Sequence, residues 1–238
     1  MRLGIMQPYF FPYLGHFALI AHTDQWIVFD VTQYTPRSWM NRNRVLHPQT
    51  GWNYISAPLI QSSTTLLTHE AQVNDLKATQ RSVLGKLSHY RRKAPYYETV
   101  IDLVSQTFSR TTSNSLVHLN IAGLVSVCEY LGLPFNYRVC SALDLDLRTV
   151  NTPGGWAPEI CRQLGAKSYL NPVGGRALFD AQDFSRLGIQ LQFMQFSGFE
   201  YDTNPYTFEP GLSIVDVMMW NEPQRIAQLL CSHTKILA

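Results

Sequence analysis

The strongest constraint on this chain is the pattern at its start. A short apolar run, Leu3 to Met6, is followed by a helix-like segment, Leu14 to Ile20, and then by a second β-rich run, Trp26 to Phe29. Strand, helix and strand at this spacing make a βαβ unit, whose crossover is right-handed and whose two strands are parallel. A parallel sheet must be covered on both faces, so this opening limits the rest of the chain to supplying helices and further strands.

The remaining segments fit that demand. Arg44 to His47 and Trp52 to Ile55 flank Pro48-Gln49-Thr50-Gly51, which reads as a β-hairpin. Apolar residues fall at helical spacing within Val73 to Tyr90, and again at Val117, Ile121, Leu124, Cys128 and Leu131, where Gly132 and Pro134 form a stop signal. Phe135 to Val139 and Ser168 to Leu170 read as strands, with a short helix from Pro158 to Leu164 between them. Ile189, Leu191 and Phe193 alternate with polar residues as a last strand, expected at the sheet edge. Ser213 to Trp220 and Glu222 to Leu230 read as two closing helices. The expected fold is α/β: Rossmann-like, with a mostly parallel sheet, helices on both faces, a β-hairpin insertion and a helical C-terminal part. A single domain over residues 1–238 is expected, with a helical insertion around 72–132.

Composition narrows the function. A net charge of +2 over 238 residues cannot neutralise the many phosphates that duplex DNA binding requires, although a small anion or an RNA end needs only a few local cations. No signal peptide and no membrane span is expected, which points to a cytoplasmic protein. The four cysteines are scattered, with no CxxC pair and no histidine at ligand spacing, so no metal site is expected. The residues do not indicate a cofactor.

Three loops carry residues suited to chemistry, and each follows a strand. The first runs from Met6 to Phe17, a stiff segment with two prolines that would display large rings, Tyr9 and Phe10 among them, beside the Gln7 amide at the carboxyl edge of the sheet, where open α/β sheets bind ligands. The second runs from Asp30 to Arg44 and holds Gln33, Tyr34, Arg37, Trp39, Asn41, Arg42 and Asn43. Its guanidiniums suit phosphate or carboxylate, and its amides and rings suit a base or sugar. The third is Asn171-Pro172-Val173-Gly174-Gly175-Arg176, where Gly174 and Gly175 could turn N–H groups towards an anion if a helix starts at Ala177. Parallel strands would bring the three loops to one pocket. His16 and Asp30 are the candidates for proton transfer, His89 is a further candidate for substrate contact, and Asp216 is expected to need a buried partner such as an arginine.

The segments MQPYFFPYLGHF, QYTPRSWMNRNRV, HYRRKAPYY, CRQLGAKSYLNPVGGRALFD and GLSIVDVMMWN together resemble the WbqC-like family of bacterial proteins. That family is associated with gene clusters for O-antigen and related glycans. The resemblance implies a step in making or decorating an activated sugar or a similar small metabolite. The family usually has an aspartate pair where this chain has Asp30-Val31, and tyrosine where it has His16. The expected activity is transfer of an acyl or aminoacyl group to an amine, such as that of a nucleotide-linked amino sugar. The donor would be a CoA thioester, an adenylate or an aminoacyl-tRNA. The alternatives are a nucleotidyl- or adenylyl-transfer enzyme and a non-catalytic ligand-binding protein of a biosynthetic complex.

Overall fold

The computed structural model describes residues 1–238. In chain order the elements are β1 (Arg2–Met6), α1 (Leu14–Ala21), β2 (Gln25–Val28), β3 (Arg42–Leu46), β4 (Trp52–Ser56), α2 (Leu76–Leu87), α3 (Tyr97–Arg110), α4 (Leu116–Leu131), β5 (Tyr137–Val139), α5 (Trp156–Gln163), β6 (Ser168–Pro172), α6 (Ala181–Ser185), β7 (Gln190–Phe196), α7 (Ile214–Trp220), α8 (Pro223–Ser232) and β8 (Thr234–Leu237). Six strands form one sheet in the order β5-β2-β1-β6-β7-β8, and β3 and β4 form a separate hairpin.

The pairs of β1 with β2, β1 with β6, β2 with β5 and β6 with β7 are all parallel. Side-chain alternation shows why this sheet needs two covers. Leu3, Ile5, Ile27 and Tyr169 point to a core shared with Ile160 of α5 and Phe184 of α6. Trp26, Val28 and Leu170 point the other way, to a larger core containing Phe17 of α1, Leu124 of α4 and Ile226 of α8. Gly4 sits between these rows because a Cβ there would lie 2.9 Å from Thr23 and 3.0 Å from Trp26.

The chain moves from β1 outward to β2 and β5, then returns past β1 to β6 and β7. The reversal places a crevice beyond the carboxyl ends of β1 and β6. This is the position at which doubly wound sheets open a binding site.

Local chemistry fixes the helix limits. Asp75 accepts the Ala78 N–H at 2.9 Å to start α2, and Ser115 accepts from His118 at 3.4 Å to start α4. Gly132 ends α4 in the left-handed conformation at φ 66°.

Two expectations about the second half of the chain are corrected. The Ile189–Phe193 strand is not at the edge, because β8 pairs antiparallel with β7 and takes that place. No helix starts at Ala177: Val173–Leu178 is a 3-10 turn, and α6 starts at Ala181.

Candidate active-site cleft

The first and second loops meet at the carboxyl edge of the sheet. Phe10 donates its N–H to the Trp39 carbonyl at 2.9 Å, and Gln7 donates from Nε2 to Thr32 Oγ1 at 3.3 Å. From α4, the Asn120 amide donates to both the Pro8 and Met40 carbonyls at 2.8 Å, pinning one loop against the other. Ser213 adds a third anchor: its hydroxyl donates to the Phe11 carbonyl at 2.7 Å, and its N–H to the Arg44 carbonyl at 2.8 Å.

These anchors leave two clefts that share Tyr9. The outer one, about 360 Å³, is lined by Tyr9, Tyr13, Trp39, Asn43, Arg44 and Gly211. The inner one, about 180 Å³, lies at the strand reversal and holds Gln7 and Asn171 among apolar residues that include Trp156 and Phe179. A third cavity of about 520 Å³ shares Tyr13 and Gly211 with the outer cleft and is bordered by Glu200 and Glu209. Gly15 has no side chain to obstruct the Tyr13 ring, which a Cβ at that position would overlap. Burial raises the Tyr9 and Tyr13 phenols above their ordinary value, so both stay protonated donors at neutral pH.

The electrostatics centre on Arg44. Its guanidinium lies 5.3 Å from the Trp39 ring and 5.1 Å from the Trp52 ring, and donates to the Gly211 carbonyl at 3.2 Å. Arg42 lies 4.3 Å over the Tyr54 ring, outside the cleft. The chain's ion pairs use Arg110, Arg148, Arg162 and Arg186, and none involves Arg37, Arg42 or Arg44. The Nε–H groups of Arg42 and Arg44 are buried with no partner. Two half-buried cations held against aromatic rings without a carboxylate are suited to an anionic guest.

The other candidate residues are distributed as follows. Phe10 is buried and packs edge-on with Phe11, so it is a core residue rather than a displayed ring. Asn43 is buried and donates to the Phe10 and Phe11 carbonyls at 3.2 and 2.9 Å, so its amide clamps the loop. Tyr34 is also buried, whereas Gln33 and Arg37 are exposed, Arg37 with a left-handed φ of 59°. Asn41 donates to the Ala57 carbonyl at 3.1 Å. Asn171 accepts from the Tyr169 hydroxyl at 2.9 Å and lies packed against Gly175, while Gly174 is exposed in the 3-10 turn. His89 sits in the 3-10 turn Ser88–Tyr90 after α2, against Tyr90 and Tyr206, and lines none of the three clefts.

Neither candidate base is placed for proton transfer. His16 is 2 % exposed, lies between the Tyr9 and Trp26 rings, and is pushed down to about 3 by desolvation. An imidazole so sealed stays neutral and lines none of the three clefts. Asp30 is also buried, accepting from the Ser141 N–H at 2.9 Å and the Ser141 hydroxyl at 2.6 Å. Its carboxylate fastens the turn after β5 to the end of β2. Asp30→Ala is expected to lower stability by about 2–3 kcal/mol, measured by urea unfolding, because it strands two donors.

Asp216 is a buried tether, but its partner is not an arginine. Its carboxylate accepts from the Tyr90 hydroxyl, from Tyr201 at 2.8 Å and from the Leu46 N–H at 3.2 Å. No cluster of His, Cys, Asp and Glu suited to a metal forms, and no helix is long and apolar enough to cross a membrane.

The model of the WbqC-like protein family matches residues 7–228. The chain belongs to the WbqC-like family. It is 26 % identical over 218 residues to a Mycobacterium tuberculosis protein named Uncharacterized protein Rv1507c, covering 91 % of this chain and 92 % of that one. No solved structure matches the chain. The region common to the WbqC-like family thus runs from Gln7, through both cleft loops and Asn171, to α8.

Within this WbqC-like protein, Arg44, Tyr13, Trp52 and Gly211 belong to the site or its rim but are not singled out by the sequence. Arg44 and Tyr13 were both legible as members of the two loops. Strand alternation singles out Arg44, whose guanidinium is turned to Trp39 and Trp52 while the Asn43 amide beside it is spent on the Phe10 and Phe11 carbonyls; Tyr13, just before α1, is placed only by the tertiary fold. Gly211 reaches the cleft only through the tertiary fold.

Proposed function

We propose that this WbqC-like protein is a group-transfer enzyme acting on an anionic small metabolite of a glycan or related biosynthetic cluster. The reading rests on one observation: Arg44 is half-buried between Trp39 and Trp52, without a carboxylate partner, in a cleft walled by Tyr9 and Tyr13. A phosphate or carboxylate would take the free guanidinium N–H groups, and a sugar or base would stack on the rings. In the favoured reaction, the amine of a nucleotide-linked amino sugar attacks an activated acyl or aminoacyl carbonyl. A C–N bond forms, the bond to the thiolate, phosphate or tRNA oxygen breaks, and the amine proton departs.

With His16 and Asp30 sealed, the proposed proton acceptor is Glu209, half-buried in the adjoining cavity across Tyr13 and Gly211. The test is a thermal-shift panel of nucleotide sugars, acyl-CoAs, ATP and aminoacyl-adenylate analogues, followed by turnover of the hits with mass-spectrometric detection. A ligand at about 100 times its Kd raises stability by about 2.7 kcal/mol. The reading requires a shift that depends on Arg44, and product formation that Glu209→Gln lowers about 100-fold or more. A shift without turnover for any donor would make the chain a binding protein.

A further inference from the structure

We propose that the outer face of the β3–β4 hairpin is a stacking platform for an unpaired nucleotide strand, leading into the cleft. Antiparallel pairing places Arg44 opposite Tyr54 and Arg42 opposite Ser56, so Arg42, Arg44, Tyr54 and Trp52 share one face. Their side chains interleave: Trp52 and Tyr54 meet edge-on at 4.9 Å, Arg42 lies over Tyr54, and Arg44 lies over both Trp52 and Trp39. The result is a row of three rings and two guanidiniums, with Trp39 39 % and Trp52 40 % exposed.

Exposed tryptophans stacked with arginines that have no carboxylate partner are unusual as mere surface, and the row's side-chain hydrogen bond to the fold is that of Arg44 to the Gly211 carbonyl. Its composition fits single-stranded nucleic acid, in which each base offers a ring face and each linkage a phosphate. A single nucleotide would engage only part of it. The row also excludes a duplex, whose bases are already stacked, which agrees with the low net charge of +2. Because Arg44 belongs to both the row and the cleft, a strand lying on the hairpin would deliver its terminus to the cleft. The proposal therefore deepens the group-transfer reading by naming an RNA 3′ end as carrier of the transferred group.

The test is fluorescence anisotropy of the full chain with a labelled single-stranded RNA hexamer, the same sequence as a duplex, and inorganic polyphosphate of equal charge. The expected result is binding of the single strand alone, weakened at least tenfold by Tyr54→Ala and by Arg42→Ala, and reduced by salt. Circular dichroism would establish that both variants are folded. No hexamer binding at low salt, equal binding of polyphosphate, or variants that bind like wild type would overturn the proposal. Such a failure with an intact Arg44-dependent shift in the metabolite panel would leave the group-transfer reading standing. Hexamer binding with no such shift would refute that reading alone.

Discussion

Asp216→Ala is expected to cost about 4 kcal/mol of folding stability, enough to leave a marginal chain largely unfolded at physiological temperature. The carboxylate ties four parts of the molecule together: α7, the 3-10 turn Ser88–Tyr90 that follows α2, the Tyr201 loop and the hairpin at Leu46. Alanine would strand the buried Tyr90 and Tyr201 hydroxyl donors and leave the Leu46 N–H with only the Tyr90 oxygen as acceptor, at 2.9 Å. Urea unfolding of the two proteins measures the loss. A change below about 1 kcal/mol would mean that the tether does not hold the hairpin.

The same group predicts a pH dependence. Burial raises the Asp216 carboxyl from 3.8 to about 6, against the opposing effect of its Tyr90, Tyr201 and Leu46 donors. Between those values the folded chain retains a proton that the unfolded chain releases. The stability that protonation contributes is thus complete below about 3.8 and lost as pH rises through about 6. Asp216→Asn removes this slope, so its stability relative to wild type should rise between about pH 4.5 and about pH 7.5.

Arg44→Ala is expected to weaken binding of the anionic metabolite by about 10- to 100-fold, the equivalent of one charge-assisted contact worth about 1.5–3 kcal/mol. Arg44→Lys should not restore it, because an ammonium cannot lie flat between Trp39 and Trp52 or offer a two-pronged contact. Isothermal titration calorimetry distinguishes the variants. Equal affinity of wild type and Arg44→Ala would place the anion elsewhere.

The parallel sheet was legible because each half of the βαβ opening has its own signature and right-handed crossovers leave few arrangements. The hairpin was legible from the Pro48–Gly51 turn, and α4 from its heptad-like apolar face with Gly132 at its end. Other features were concealed for identifiable reasons. In α3, Val100, Leu103, Val104 and Phe108 lie on one face, but the signal merges into the helical 72–132 segment. β8 is four residues long and gains its strand character only by pairing with β7, so β7 looked like an edge.

The site was legible as loops but not as roles. Nearly every residue of α1 is buried, so a histidine within it is sealed whatever its chemistry; the apolar run Phe17-Ala18-Leu19-Ile20 hints at this. Asp30 sits at a strand end, as a catalytic carboxylate would. Only the tertiary structure brings Ser141 within reach to engage both of its oxygens.

The central claim is that the glutamine-proline-aromatic loop and the arginine strand enclose one anion-binding cleft at the carboxyl edge of the sheet. Crystals soaked with a uridine-diphosphate amino sugar address it directly. The account predicts pyrophosphate density on the Arg44 guanidinium, with a ring against Trp39, Tyr9 or Tyr13. Density at the opposite, amino edge of the strands, with the Arg44 cleft empty, would contradict it.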